Sequence, residues 1–116
     1  MFPLWERIYS SPQEEPHGAF VAVQIVGRLE LERLARDHSD VRSAVDTWVA
    51  EVGEARWGLP ADIKVRYPSA SLLANNRVIF NLKGTKYRVD TTVAYKTGKV
   101  VVKRAGTHAE YSKWDS

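Results

Sequence analysis

The sequence predicts an α+β fold in which N-terminal helices pack on a small antiparallel β-sheet. Three features carry that expectation. The hydrophobic period is near 3.6 across residues 28–52 and near 2 after residue 76. Two glycine-bearing tight turns, Lys83-Gly84 and Thr97-Gly98, divide the second region into three runs of strand length. A length of 116 residues at 44% hydrophobic and 27% charged makes one soluble domain with a single core.

Residues 1–22 contain Pro3, Pro12 and Pro16, the polar stretch 10–15, and Phe2, Leu4, Trp5, Ile8 and Tyr9 without a period. They read as an N-terminal extension with a short apolar turn over 2–9, ahead of a domain spanning 23–116. A first strand is expected over 19–26 and is ended by Gly27. Leu31, Leu34 and Ala35 then give a helical stripe over about 28–37. Val41, Ala44, Val45, Trp48, Val49 and Val52 recur at helical spacing, with Ser39 or Asp40 as the cap and Gly53 where the pattern fades. Both helices are expected to lay one face on the sheet. Pro60 opens a short helix that ends before Pro68, and 68–76 is a connecting loop. Residues 77–82, 86–95 and 99–105 are the strands of an antiparallel meander.

Charge divides the chain. Residues 1–55 hold five Arg and ten Asp or Glu, net −5, whereas residues 56–116 hold twelve Lys or Arg and four acids, net +8. The acidic half is therefore expected to face away from any polyanion. Between Arg77 and Arg104 eight cations (Arg77, Lys83, Lys86, Arg88, Lys96, Lys99, Lys103, Arg104) stand against Asp90 alone. Alternation places Tyr87, Val89, Thr91, Val93 and Tyr95 on one face of the middle strand and sets Lys86 and Arg88 side by side on the other. Such a face suits phosphate oxygens. It equally suits a solvated sheet guarded by lysine against aggregation, and the charge pattern alone leaves both readings open.

After the last strand, Thr107 and Glu110 have capping-box spacing and open a helix, which puts His108 and Tyr111 in its first turn. A histidine there moves protons near neutral pH and a tyrosine stacks on a base, or both simply pack and hydrogen-bond. Other chemistries find no residues. With no cysteine there is no disulfide, thiolate metal site or thiol nucleophile, and a reducing, cytoplasmic setting is expected. His17, His38 and His108 are isolated, which speaks against a metal site. The glycines form no phosphate-binding loop, and the acids cluster away from the cations. No apolar run approaches the roughly 18 residues of a membrane span, and 1–9 does not open like a secretory signal. Cation-assisted chemistry on a polyanion remains.

Residues 77–88 (RVIFNLKGTKYR) followed by 106–111 (GTHAEY) resemble the HigB family of bacterial toxins, and Ala55-Arg56-Trp57, Pro60-Ala61-Asp62-Ile63-Lys64 and Pro68-Ser69-Ala70-Ser71 agree in wording and order. The likeness covers roughly 23–114. It implies a RelE-like fold, cleavage of messenger RNA on the translating ribosome, no cofactor, and a HigA-type helix-turn-helix antitoxin whose complex with the toxin represses its own operon. DNA would be touched only through that complex, and no membrane is involved. By position, Asn81, Lys86, Tyr87, Arg88, His108 and Tyr111 match the family's strongest positions, and Lys103 stands where members commonly have arginine. Tyr87 falls on the apolar face and is assigned to the core. Asp90 replaces a usual apolar residue, Leu59 a helix-capping threonine, and Ser112 an aspartate.

On this reading Lys86, Arg88 and Lys103 stabilise the phosphoryl charge, His108 transfers a proton and Tyr111 orients base or phosphate. Arg56, Lys64, Arg77, Asn81, Lys83 and Arg104 contact RNA, and no residue holds a metal. Two rivals stand beside it. One is a module of the same shape that binds ribosomal RNA or an antitoxin without cutting. The other is a DNA-binding regulator, which is weaker because the helix over 41–52 has acidic flanks.

Overall fold

A computed structural model describes residues 23–114. Its strands are β1 (Gln24–Val26), β2 (Ser71–Leu72), β3 (Arg77–Leu82), β4 (Tyr87–Ala94) and β5 (Lys99–Thr107). Its helices are α1 (Arg28–Asp37), α2 (Arg42–Gly53), α3 (Pro60–Arg66) and α4 (His108–Tyr111), with single 3-10 turns at Ser39–Val41 and Ala74–Asn76. The expected apolar turn over 2–9 and the first half of the expected strand over 19–26 lie outside the described residues.

The three long strands form the expected antiparallel meander, but the sheet as a whole is mixed. Its order is β1-β5-β4-β3-β2, and β1 pairs parallel with β5, Gln24 opposite Lys99 and Val26 opposite Val101. The expectation of an antiparallel sheet is corrected here. A three-residue edge strand carries no sign of its partner's direction, which the later path of the chain sets. Gly27 turns the chain from β1 into α1 at φ 88°, and a Cβ there would stand 2.5 Å from the Val102 carbonyl oxygen. The stretch 68–76, expected as loop, adds the edge strand β2.

One sheet face is covered by the helices. Leu31 and Leu34 of α1, Val45, Trp48 and Val52 of α2, and Ile63 of α3 are buried against Val78, Phe80, Val89, Val93, Val100 and Val102. Phe80 is the hub, with the rings of Trp48 and Tyr67 meeting it edge-on at 5.3 and 5.2 Å and Trp57 stacked at 6.0 Å. Tyr87 is 2% exposed and belongs to this core. The other face carries Arg77, Asn81, Arg88, Asp90 and Arg104, because residues paired directly across an antiparallel ladder share a face. Asp90 pairs with Arg104 but Thr91 pairs with Val102, so Lys103 is the extra residue of a β-bulge. Among the described residues no helix is long and apolar enough to cross a membrane.

Candidate active site

Cations and an imidazole meet at one end of the sheet, where β4 begins and β5 ends. The capping box at Thr107 forms as its spacing requires. The Thr107 amide donates to Glu110 Oε1 at 2.8 Å and the Glu110 amide to Thr107 Oγ1 at 3.1 Å. This fixes the first turn of α4, and the His108 amide donates to the Lys86 carbonyl at 2.9 Å, tying that turn to the start of β4. The His108 side chain is exposed. Arg88, opposite Gly106 in the ladder, brings Nη2 to 3.0 Å from His108 Nδ1 and lays its guanidinium 4.5 Å from the centre of the Tyr111 ring. A guanidinium only donates, so Nδ1 accepts and a neutral ring carries its hydrogen on Nε2.

The helical layer supplies the opposite wall. Asp40 Oδ1 accepts the Tyr87 hydroxyl at 2.7 Å, and Oδ2 accepts Lys86 Nζ at 2.9 Å with Lys83 Nζ at 3.7 Å. The Tyr87 hydroxyl, and next the Lys86 ammonium, hold the Asp40 carboxyl well below the usual carboxylate range. Asp40 in turn raises Lys86 above an ordinary lysine, and its hydrogen bond raises Tyr87. The His38 ring lies 5.4 Å from that of Tyr87. His38, Asp40, Lys86, Tyr87 and His108 line an open basin of about 770 Å³.

Three expectations change here. Lys86 and Arg88 do not stand side by side, because Lys86 precedes the strand and reaches toward Asp40 while Arg88 stays on the outer face. Neither Ser39 nor Asp40 caps α2 with its side chain, since the Asp40 carboxylate is spent on Tyr87 and Lys86. The acidic half does not turn wholly away from the cations, because Asp40 sits among them. Sequence reasoning missed Asp40 and His38 as site residues. The available signal was a His and an Asp at a helix start, which reads as a cap.

The remaining predicted residues spread along the outer face and the loops. Asp90, 1% exposed, accepts Arg77 Nε and Nη2, both at 3.2 Å, and Arg104 Nε at 3.0 Å. With exposed Lys103 these three line a second hollow of about 440 Å³, and Lys103 does not line the His108 basin. Arg104 also lies 4.8 Å from the Trp114 ring. Asn81 sits opposite Arg88 and donates to the Ser69 carbonyl at 3.0 Å. Its Oδ1 and Arg88 Nε are shielded from solvent with no hydrogen-bond partner among the described residues. Lys64 Nζ donates to the carbonyls of Pro68 and Ala70 at 2.6 and 2.8 Å, and Arg56 lies between α2 and α3.

A family model described as HigB_toxin, the RelE-like toxic component of a toxin-antitoxin system, matches residues 41–114. The chain belongs to the HigB toxin family. It is the toxin of a toxin-antitoxin pair, and an antitoxin is its partner. No curated protein matches the chain. The α+β architecture with its mixed sheet is compatible with a RelE-like fold. The matched span starts at Val41, so β1, α1, His38 and Asp40 of this HigB toxin precede it. Its departures from the family wording are absorbed locally. Asp90 is paired with two arginines, and the Asp62 carboxylate accepts the Gly58 and Leu59 amides at the head of α3, where the Leu59 side chain offers no oxygen. Ser112 Oγ donates to the His108 carbonyl at 3.1 Å.

Proposed function

We propose that this HigB toxin is an endoribonuclease, an mRNA interferase that cuts messenger RNA on the translating ribosome without a metal or cofactor and so arrests translation and growth. One observation carries the reading: the exposed His108 imidazole bonds Arg88 on one side and shares a basin with the Lys86 ammonium on the other. A ribose 2′-hydroxyl loses its proton, its oxygen attacks the adjacent phosphorus, and the P–O5′ bond breaks to leave a 2′,3′-cyclic phosphate and a 5′-hydroxyl. Negative charge builds on the phosphoryl oxygens, and Lys86 and Arg88 stabilise it. His108 moves the proton, with Nδ1 released when the Arg88 guanidinium turns to the phosphate. Tyr111, already against the Arg88 plane, stacks on a base. Lys103, Arg77 and Arg104 at the second hollow, with Arg56, Lys64, Asn81 and Lys83, engage the flanking RNA backbone. The partner is a HigA-type helix-turn-helix antitoxin, and the family membership supports that pairing.

Purified ribosomes programmed with messenger RNA test the reading. The expected product carries a cyclic phosphate end, His108→Ala lowers the cleavage rate by about 10² to 10⁴, and Lys86→Ala or Arg88→Ala by about 10². Tight, salt-sensitive binding without any product overturns the nuclease and supports a module that only binds.

A further inference from the structure

We infer that Asp40 is a positioning residue of this site: its carboxylate, pinned by the Tyr87 hydroxyl, holds the Lys86 ammonium in the basin that Lys86 shares with His108. The inference rests on the endonuclease reading and adds to it a residue from the helical layer, outside the span that matches the family.

A lysine with 60% of its side chain exposed, just ahead of a strand, samples many rotamers and spends little time aimed at any one phosphate. Asp40 removes that freedom because it is itself fixed at two points. Its backbone lies in the 3-10 turn Ser39–Val41, between α1 and α2, and Val41 beside it is fully buried. Its Oδ1 is bound at 2.7 Å by the hydroxyl of Tyr87, whose ring is locked in the core. Oδ2 is thereby left directed at Lys86 Nζ, at 2.9 Å. An ammonium has three N–H donors, so one spent on Asp40 leaves two for phosphoryl oxygens. The pair also stabilises the charged form of Lys86, whose pKa Asp40 raises. Asp40 is no general base. Both oxygens already accept charge-fixing hydrogen bonds, and a carboxyl held so far below the usual range takes a proton poorly.

The test compares wild type, Asp40→Asn, Lys86→Met and the double variant in the ribosome cleavage assay, with thermal melts to show that each folds. Asp40→Asn is expected to lower kcat about tenfold, one hydrogen bond's share of transition-state stabilisation, while KM changes less than about threefold. In the Lys86→Met background the same substitution has no further effect, because residues that act through one another are not additive. Tyr87→Phe, which frees one carboxylate oxygen and keeps the ion pair, gives a smaller fall in kcat. A readout independent of cleavage is the acylation of Lys86 at mildly alkaline pH, followed by peptide mass spectrometry, which is expected to speed up in Asp40→Asn. Unchanged or raised kcat in Asp40→Asn, full additivity with Lys86→Met, or unchanged acylation overturns the inference. A raised kcat would show instead that Asp40 competes with phosphate for Lys86. Wild type that cuts nothing sinks the endonuclease reading by itself, whereas an Asp40→Asn variant that cuts as well as an active wild type sinks only this one.

Discussion

Alternation along β4 places Tyr87 inside and Asp90 outside, and both assignments hold in the fold. What alternation does not convey is that Asp90 is nearly inaccessible, because the two arginines that enclose it come from β3 and β5, thirteen and fourteen residues away in sequence. A buried carboxylate is tolerable only while its partners remain. Removing it leaves two guanidiniums facing each other on a half-covered sheet, so Asp90→Leu is expected to destabilise by about 2–3 kcal/mol, reduced from the fully buried case because both arginines keep some solvent. Chemical denaturation checks this. Combining Arg77→Met, Asp90→Leu and Arg104→Met in one chain is not the same experiment, since replacing a whole buried ion cluster by apolar groups is often neutral.

Among the elements, α1 and β3 appear at the bounds their periodicity gives, and β4 and β5 differ only at their ends. Local signals suffice for these because the hydrophobic repeat and the glycine turns act over a few residues. The parallel β1–β5 pairing and the edge strand β2 were not legible, since each depends on a partner brought in by the rest of the fold. The start of α3 shows how a missing local signal is replaced. With leucine at the capping position, the carboxylate of Asp62 takes two backbone amides, from Gly58 and Leu59, at 2.9 and 3.0 Å. Asp62→Ala is therefore expected to cost about 1 kcal/mol, the usual worth of a helix cap, as a drop in melting temperature with the fold retained.

At the scale of the molecule, the charge division was legible and the site only in part. Arg88, His108 and Tyr111 converge because the strand and the capping box place them, whereas Lys86, ahead of the strand, is met by Asp40 from forty-six residues earlier, a distance that no local pattern spans. The net +8 of residues 56–116 acts as a whole on an approaching polyanion. If about four phosphates are neutralised, ribosome or RNA association is expected to weaken by about 10²-fold between roughly 0.05 and 0.2 M salt. Binding measured across that range checks it, and a flat response would place recognition on contacts other than charge.

The single unpaired residue at Lys103 has a wider effect than its own position. Along β5 the inward side chains run Val100, Val102 and then Ala105, so the odd–even count of the strand changes sign at that point. Pairing the same residues there without the bulge would impose strict alternation and exchange the two sides of everything downstream. Arg104 would then enter the oily layer, and the last helical turn would leave from the reverse side of the sheet. By absorbing Lys103, the bulge is thus what aims the carboxy terminus at the neighbouring hairpin.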